Sequence, residues 1–414
     1  MKEESQSAES VPVVNQPARI GFLSSIPRRV KWFVFLVFFT AVGYGYLQVL
    51  VSAYLPEIGF SSSAVGWILG VNGLAVVVAS IPFGIYADRR GKKPVLFLGL
   101  LIFPFVLIVY ALTRQFEALL FASVIGGLVE GAFLSTWNAL IADMTTKENR
   151  NNAFALSFIV SIFAFGLGFA IPFAFPAVES VLNVGSSVVH QYSTLFIAGL
   201  SFVSPLGIGL LLRGYAESER KGTYSTRGSL GPLWKFSGLN SMIGLGAGFF
   251  IPLIATWFYF RYAIPDTYSG PLLAVSNMTI ALAAVASPFL AKRIGSVKAI
   301  VLAEGSSTLF MISMVLAPTA TFAGGLYIAR AALMNMSSPL SDSFLMGIIP
   351  TEQRSLASAV NSLVWRLPNS VTAVLGGIIM TAGNYVLPIY LATLFYVVGI
   401  SGFYFAFRNS KPLT

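Results

Sequence analysis

Three charged residues lie deep inside apolar stretches of this 414-residue chain: Glu130, Arg330 and Arg366. Glu130 comes 13 residues before Asp143, which places it about 20 Å from the end of its stretch on a helix that rises 1.5 Å per residue. A carboxyl in apolar surroundings can take up and release a proton near neutral pH. A guanidinium can hold a carboxylate or phosphate through its forked donors. These residue types therefore point to proton coupling and to anion binding.

An alternative assigns these charges to structure alone. Glu130 then forms a static ion pair with Arg330 or Arg366, although a pair that breaks during a working cycle would also couple movement to a proton. Two further acids within apolar runs, Glu304 and Asp342, are better explained by structural pairing. The single histidine, His190, is expected to be a solvated loop residue and offers no cluster for metal binding or catalysis.

The elements that position these residues are membrane-spanning helices. The chain is 56% hydrophobic and only 10% charged, whereas soluble domains carry about 25% charged residues. Twelve apolar runs are each long enough to cross a bilayer as a helix. The sequence thus predicts an all-α membrane protein with twelve transmembrane helices. Without cysteine, disulfides, thiol catalysis and thiolate metal sites are excluded.

The net charge of +10 is explained by topology. Lys and Arg concentrate in every second connection between the runs, while the alternate connections hold only Arg114 and Arg261. The rule that basic loops stay inside predicts a multi-pass protein of the plasma membrane with both termini in the cytoplasm. We expect contact with the lipid bilayer and no binding of nucleic acid, because no basic face is interleaved with exposed aromatic residues.

The chain repeats itself at an offset of 204 residues. This register aligns the two parts without gaps and pairs several identical residues: Gly66 with Gly270, Val71 with Val275, Arg89 with Arg293, Gly91 with Gly295, Glu148 with Glu352, Arg150 with Arg354, and Ala155 with Ala359. The three buried charges do not repeat, since Glu130, Arg330 and Arg366 correspond to Met334, Gly126 and Ile162. A role beyond structure is favoured for charges that were added to one half only.

The repeat and the polar segments divide the chain into four parts. We expect a disordered cytoplasmic tail over 1–27, a six-helix bundle over 28–213, a cytoplasmic linker over 214–234, and a second six-helix bundle over 235–414. Between the second and third runs lies a basic loop that begins Gly84-Ile85-Tyr86-Ala87-Asp88-Arg89 and continues Arg90-Gly91-Lys92-Lys93. Gly91 there allows a tight turn at positive φ.

This loop and the two six-helix halves resemble the major facilitator superfamily (MFS), with a partial likeness to its drug-exporter branch. The loop matches the family's loop 2–3 motif at Gly84, Ala87, Asp88, Arg89, Gly91 and Lys93, with Tyr86 in place of Leu and Lys92 in place of Arg. Span five lacks the Gly-Pro motif of the drug exporters. The resemblance implies gating contacts that lock the halves in one orientation. We assign them to Gly84, Asp88, Arg89, Gly91, Lys92, Glu148, Arg150, Arg293, Glu352 and Arg354.

In the fold that this resemblance implies, spans one, four, seven and ten line a central cavity. Helical spacing then supplies candidate inward-facing residues, although such stripes also serve helix packing. Glu130 is the candidate for proton coupling. The candidates for substrate binding are Tyr44, Gln48, Trp137, Asn138, Trp257, Arg330, Met334, Arg366 and Asn369. Because span seven is rich in Phe, Trp and Tyr, an aromatic cavity that suits a lipophilic or amphipathic solute is expected.

The sequence therefore predicts a secondary transporter that exports a hydrophobic or amphipathic small molecule, coupled to protons, by alternating access. An importer of a small organic anion held by Arg330 and Arg366 is the alternative. From another class, a transport-inactive membrane scaffold remains open. No phosphate loop, paired-carboxylate motif or histidine cluster indicates an enzyme. No cofactor or metal is expected, and a monomer suffices in this fold.

Overall fold

The fold was analysed in a computed structural model that describes residues 22–146, 148–217, 231–349 and 354–409. Most of the predicted tail over 1–27, most of the linker over 214–234, and Glu352 fall outside these ranges. The described residues form helices and no strand. The first half holds α1 Arg28–Val49, α2 Leu55–Glu57, α3 Ser62–Arg90, α4 Lys92–Leu112, α5 Phe116–Asp143, α6 Arg150–Ala170, α7 Phe175–Leu182, α8 Ser186–Ser201 and α9 Val203–Leu211. The second half holds α10 Gly231–Phe250, α11 Ile254–Tyr262, α12 Asp266–Ile294, α13 Ser296–Ser313, α14 Ala320–Ile348, α15 Arg354–Thr381 and α16 Leu387–Phe407.

Several of these helices run on from one another as single long segments. One turn of π-helix at Leu50–Tyr54 joins α1 to α2, and short interruptions separate α6 from α7, α8 from α9 and α10 from α11. Within the described ranges, ten segments are long and apolar enough to cross a membrane. The two other long helices, α12 and α14, have 29 residues each. The prediction of an all-α membrane fold is confirmed. Of the twelve predicted spans, ten meet the criteria of length and hydropathy for crossing a membrane.

The internal repeat is visible in the backbone of two tight turns. Gly91 ends α3 at φ +98°, and its amide donates to the carbonyl of Ala87 at 2.9 Å. Gly295 ends α12 at φ +85°, with the matching bond to Ala291 also at 2.9 Å. Glycine adopts this left-handed region without a steric penalty. The predicted positive φ at Gly91 is confirmed. We call the side of the molecule that carries these turns the basic side.

The hydrophobic core shows where the two halves meet. One buried cluster mixes both halves and includes Tyr46, Tyr54, Val65, Trp257 and Met380. Two other clusters each stay within one half and lie near the basic turns. The first-half cluster includes Ile26, Phe33, Leu96, Trp137 and Leu212, and the second-half cluster includes Leu233, Phe236, Ala299, Leu345 and Phe407. The halves therefore share a core on the opposite side and keep separate cores on the basic side.

Close helix packing seals the opposite side. The first turns of α3 lie against the last turns of α15, where the Ser63 amide donates to Thr381 Oγ1 at 2.8 Å. A Cβ on Gly66 would lie 2.7 Å from the carbonyl oxygen of Ala373. Small residues permit such contact between membrane helices. The interior between the halves is thus closed here and extends towards the basic side.

Candidate functional site

A cavity of about 750 Å³ lies between the two halves. Near the closed side its walls include Ser52 and Ile254, and towards the basic side they include Asp342 and Asn361. Five charged residues line it: Glu130, Glu304, Arg330, Asp342 and Arg366. Amide and hydroxyl side chains alternate with apolar ones such as Leu69, Phe165, Ile243, Ile251 and Leu273. The lining is therefore mixed in character, with both charged and apolar walls.

One ion pair joins the halves across this cavity. Arg366 Nη1 on α15 donates to Glu130 Oε1 on α5 at 2.9 Å, with 34% and 26% of the two side chains exposed. The residues are 236 positions apart in the chain. The backbone carbonyl of Arg366 accepts a hydrogen bond from the Ser370 hydroxyl at 2.9 Å. Both charges can be reached from the cavity, so a proton or a substrate can compete for either partner.

The third predicted charge, Arg330, occupies a different environment. Only 4% of the residue is exposed. Its Nη2 donates to the hydroxyl of Tyr396 on α16 at 2.7 Å, and its guanidinium carbon lies 5.7 Å from the centre of that ring. The Nε atom is buried and has no hydrogen-bond partner among the residues that the structure describes. Arg330 is thus held by an aromatic hydroxyl and retains an unused donor.

The predicted binding residues separate into three groups. Gln48, Arg330, Met334, Arg366 and Asn369 line the cavity. Tyr44 lines a smaller adjoining pocket of about 60 Å³, which shares Gln48, Asn72 and Glu130 with the cavity. The structure does not bring Trp137, Asn138 or Trp257 to either space.

The two tryptophans serve helix packing instead. Trp137 stacks on Phe33 at 4.6 Å and donates to Ser157 Oγ at 2.9 Å. Trp257 is fully buried and donates to the Tyr385 carbonyl at 2.8 Å. Asn138 is exposed. The expectation that the aromatic residues of span seven make an aromatic cavity is wrong, because Trp257 points into the helix core that closes the opposite side.

Glu304 and Asp342 were expected to be structural but line the cavity. Glu304 is 5% exposed and accepts a hydrogen bond from Ser337 Oγ at 2.8 Å. Asp342 is exposed, and the nearby cavity residue Asn361 accepts a hydrogen bond from Asn240 Nδ2 at 2.9 Å. Glu304 carries the same signal as Glu130, since its counterpart at the 204-residue offset is the apolar Leu100.

The prediction for His190 is wrong. This residue on α8 is 2% exposed, and its Nε2 lies 2.8 Å from Asp266 Oδ2 at the start of α12. The imidazole stacks on Tyr54 at 3.6 Å between centres. The amide of Asp266 in turn donates to Glu57 Oε1 at 2.5 Å. These polar contacts connect the two halves on the closed side.

The basic loop is anchored within the first half. Buried Lys92 pairs with Asp143 at 2.8 Å. Glu217 accepts from the amides of Lys92 at 2.6 Å and Lys93 at 2.9 Å, as a carboxylate at a helix N-terminus should. The Lys93 ammonium donates to the Tyr215 carbonyl. These contacts hold the loop against the segment that follows α9.

The remaining gating candidates lie around the same surface. Asp88 and Arg89 are exposed at the end of α3, and Gly84 lies one and a half turns earlier. Arg150 Nη2 donates to the Ala142 carbonyl at 3.3 Å. The exposed Glu148 carboxyl is hydrogen-bonded by the Thr146 side chain, which lowers its pKa. Arg293 lies in the last turn of α12, and Arg354 begins α15.

Comparison with known proteins finds a matching family model and curated relatives. A sequence model of the Major Facilitator Superfamily matches residues 33–371. The inner membrane transport protein YajR of Escherichia coli (strain K12) is 32% identical over 125 residues, which cover 30% of this chain and 26% of YajR. The quinolone resistance protein NorA of Staphylococcus aureus (strain MRSA252) is 28% identical over 167 residues, or 38% of this chain and 42% of NorA. The matched regions thus span less than half of either relative.

Solved transporter structures share the whole fold. An auto-inhibited peptide transporter of the POT family superposes with a TM-score of 0.73 at 11% identity, covering 93% of this chain and 98% of the other. A bacterial homologue of the human lysosomal transporter Spinster, inward-facing and unoccupied, gives 0.70 at 15% identity, with 92% and 96% covered. At such identities the likeness shows the fold alone.

Proposed function

The chain belongs to the major facilitator superfamily, and from that premise we propose that it is a proton-coupled exporter of a small amphipathic molecule, working by alternating access in the plasma membrane. The mixed lining of the cavity supports an amphipathic solute, because apolar and hydrogen-bonding walls face the same space. Similarity to a quinolone resistance protein supports the outward direction. We keep the predicted topology, with both termini in the cytoplasm and the protein acting as a monomer.

The observation that carries this proposal is the Glu130–Arg366 pair. The pair joins α5 of the first half to α15 of the second, inside the cavity. Protonation of Glu130 removes its negative charge and with it the attraction to Arg366. The halves are then free to rearrange with the proton bound. Substrate that contacts the pair from the cavity breaks it in place of the proton, so proton and substrate alternate at this site, as exchange of one for the other requires. One proton thereby changes both the contact between the halves and the binding site.

Alternating access requires two bodies that rock about the cavity. We propose bundles over 28–213 and 235–414, joined by the linker over 214–234. The shared core on the opposite side and the separate cores on the basic side are what an inward-open orientation requires. Movement to the outward-open orientation would open the contacts of α3 with α15 and bring the basic-side surfaces together.

The loop around Gly91 is proposed as the inner latch of that second orientation. Its anchor, formed by Lys92 with Asp143 and by Glu217 with the start of α4, stays within the first half. Asp88 and Arg89 stand exposed beside it. When the basic sides approach, these side chains are placed to contact the second half. Glu148, Arg150, Arg293, Glu352 and Arg354 are proposed to contribute from the neighbouring connections.

The coupling role is tested by Glu130→Gln in proteoliposomes. The substitution keeps the shape of the side chain and mimics its protonated form, so a pH gradient should no longer drive net transport. Exchange of substrate across the membrane needs no change in protonation and should continue. Flux is measured with and without an imposed pH gradient, using a substrate found by a thermal-shift screen of amphipathic compounds.

The matched control is Glu117→Gln, which removes an exposed carboxyl from the first turn of the same helix. This variant should transport like the wild type under both conditions. If Glu130→Gln transports normally under a pH gradient, Glu130 is not the coupling group. If the wild type moves no solute at all, the transporter proposal itself fails.

An importer of a small organic anion is the second candidate. The unused Nε donor of Arg330 in the cavity wall is the observation that favours it. Vesicles of both orientations separate the two candidates. With an acidic lumen, an exporter that exchanges protons for substrate accumulates substrate in inside-out vesicles. With an acidic bath, a proton-coupled importer accumulates it in right-side-out vesicles.

A further inference from the structure

Arg330 is a buried cation that forms no ion pair within the described part of the chain. It is 4% exposed, and the only hydrogen bond that its guanidinium makes within the described part of the chain is with the Tyr396 hydroxyl at 2.7 Å. Within those same ranges no carboxylate oxygen lies within 4.0 Å of it. An unpaired buried charge is unfavourable in an apolar interior. The cavity beside Arg330 is therefore where a compensating anion would be most strongly stabilised.

The other cavity arginine shows the contrast. Arg366 lies 2.9 Å from Glu130 and is about one-third exposed, so its charge is already balanced and partly hydrated. Arg330 has a free Nε donor and little solvent. An anion that reaches the cavity thus gains more at Arg330, where it displaces no competing carboxylate.

The surrounding charges limit the ligand to a single negative charge. Glu304 and Glu130 line the same space, and either would repel a dianion such as a phosphate monoester. A carboxylate carries one charge and presents two oxygens to a guanidinium. Apolar residues from both halves, including Leu69, Ile243 and Leu273, line the same cavity and offer contact for the rest of the molecule.

We propose that Arg330, oriented by Tyr396, is the head-group site for the carboxylate of an amphipathic monocarboxylate carried by this protein. The inference rests on the proposed transport function and specifies its substrate class. Arg330 would contact the carboxylate directly. Tyr396 would act as a positioning residue, because its hydroxyl holds the guanidinium in the cavity wall.

Binding to the purified full-length protein in detergent tests the site without transport. Calorimetric titration compares straight-chain monocarboxylates, from hexanoate to dodecanoate, and aryl monocarboxylates with the neutral amide of each acid. Inorganic phosphate serves as the dianion. The wild type should bind at least one acid tenfold or more tightly than its amide, and phosphate weakly. Arg330→Gln should reduce that preference to about one while still binding the amide. Tyr396→Phe should lower the preference partially.

The control is Arg114→Gln, which removes an exposed arginine outside the cavity and should leave the preference unchanged. Should Arg330→Gln unfold, as judged by its thermal midpoint, the uncharged Arg330→Met and Tyr396→Phe carry the test through the same ratio. The proposal is overturned if the wild type binds none of the acids, shows no preference for them, or keeps the preference in the Arg330 variants.

Transport measurements separate this inference from the proposed function. Net flux of neutral amphipathic molecules by a wild type without acid preference would leave the transporter proposal intact and overturn the head-group site. Acid preference that depends on Arg330, with no flux of any bound acid, would support the site and overturn the transporter proposal.

Discussion

The ion pair between Glu130 and Arg366 is partly exposed to the cavity and partly enclosed by protein. With 26% and 34% of their side chains exposed to the cavity, the pair is neither fully screened by water nor buried in a dry interior. A pair of this strength can be broken by a single proton or by a competing anion. Arg330 is only 4% exposed, so an incoming ligand must carry a negative charge to be stabilised beside it. The two arginines therefore suit different tasks, one in switching and one in binding.

A double-mutant cycle tests whether the Glu130–Arg366 pair is energetically coupled. Arg366→Gln leaves Glu130 without its cation, whereas Glu130→Gln combined with Arg366→Gln leaves no unpaired charge. We expect the single Arg366 variant to be less stable than the double variant, because a partly enclosed carboxylate that has lost its cation is more costly than two neutral side chains. Thermal midpoints of the purified proteins provide the comparison. If the decrease in thermal midpoint of the double variant equals the sum of the decreases in the two single variants, the two residues act independently.

The repeat comparison singled out Glu130 and Arg366, which the structure brings together in the cavity. A charge inside an apolar span is costly, so its absence from the other half marks a local task. Glu304 carries the same signal, because its counterpart Leu100 is apolar, yet structural pairing was the expectation for it. Trp137 and Trp257 were misplaced because helical spacing shows which residues share a face, while the partner of that face depends on tertiary packing.

The long helices could be predicted from hydropathy, but their interruptions could not. Apolar length decides whether a segment spans the bilayer, whereas the π-helical turn at Leu50–Tyr54 and the break at 251–253 depend on neighbours. The tight contact between α3 and α15 also escaped prediction. It depends on Gly66 meeting Gly377, residues that the repeat does not align with each other.

Gly66→Val tests the contribution of this helix contact to closure. The added side chain would begin 2.7 Å from the Ala373 carbonyl oxygen and 3.1 Å from Gly377 Cα, so α3 and α15 must move apart on the closed side. Because the sequence has no cysteine, Ser63→Cys can report access directly. We expect a membrane-impermeant maleimide added to that side to label Cys at position 63 several-fold faster in the Gly66 variant.

Gly199→Val is the matched control, since a side chain added on the exposed face of α8 would meet no atom within 4 Å among the described residues. Its labelling rate should equal that of the parent. An unchanged rate in Gly66→Val would mean that the two helices do not limit opening.

At the scale of the whole molecule, the closed side is held by polar as well as apolar contacts. His190 on α8 binds Asp266 on α12, and Glu57 at the end of α2 accepts from the Asp266 amide. Separation of the halves on this side would expose a pair of side chains that are each 2% exposed. The pair therefore selectively stabilises the orientation in which this side is closed, because it can exist only in that orientation.

Asp266→Asn should shift the orientation of the halves towards outward-open. The amide keeps the volume of the carboxylate but weakens the bond to His190, so the closed side loses part of its stabilisation. Spin labels on Ser180→Cys and Thr321→Cys, exposed sites in the two halves on this side, would report the change as a longer distance component in pulsed electron resonance. His190→Gln should produce the same component, and exposed Glu117→Gln should not. Identical distance distributions in all three variants would show that the His190–Asp266 pair has no part in holding this side closed.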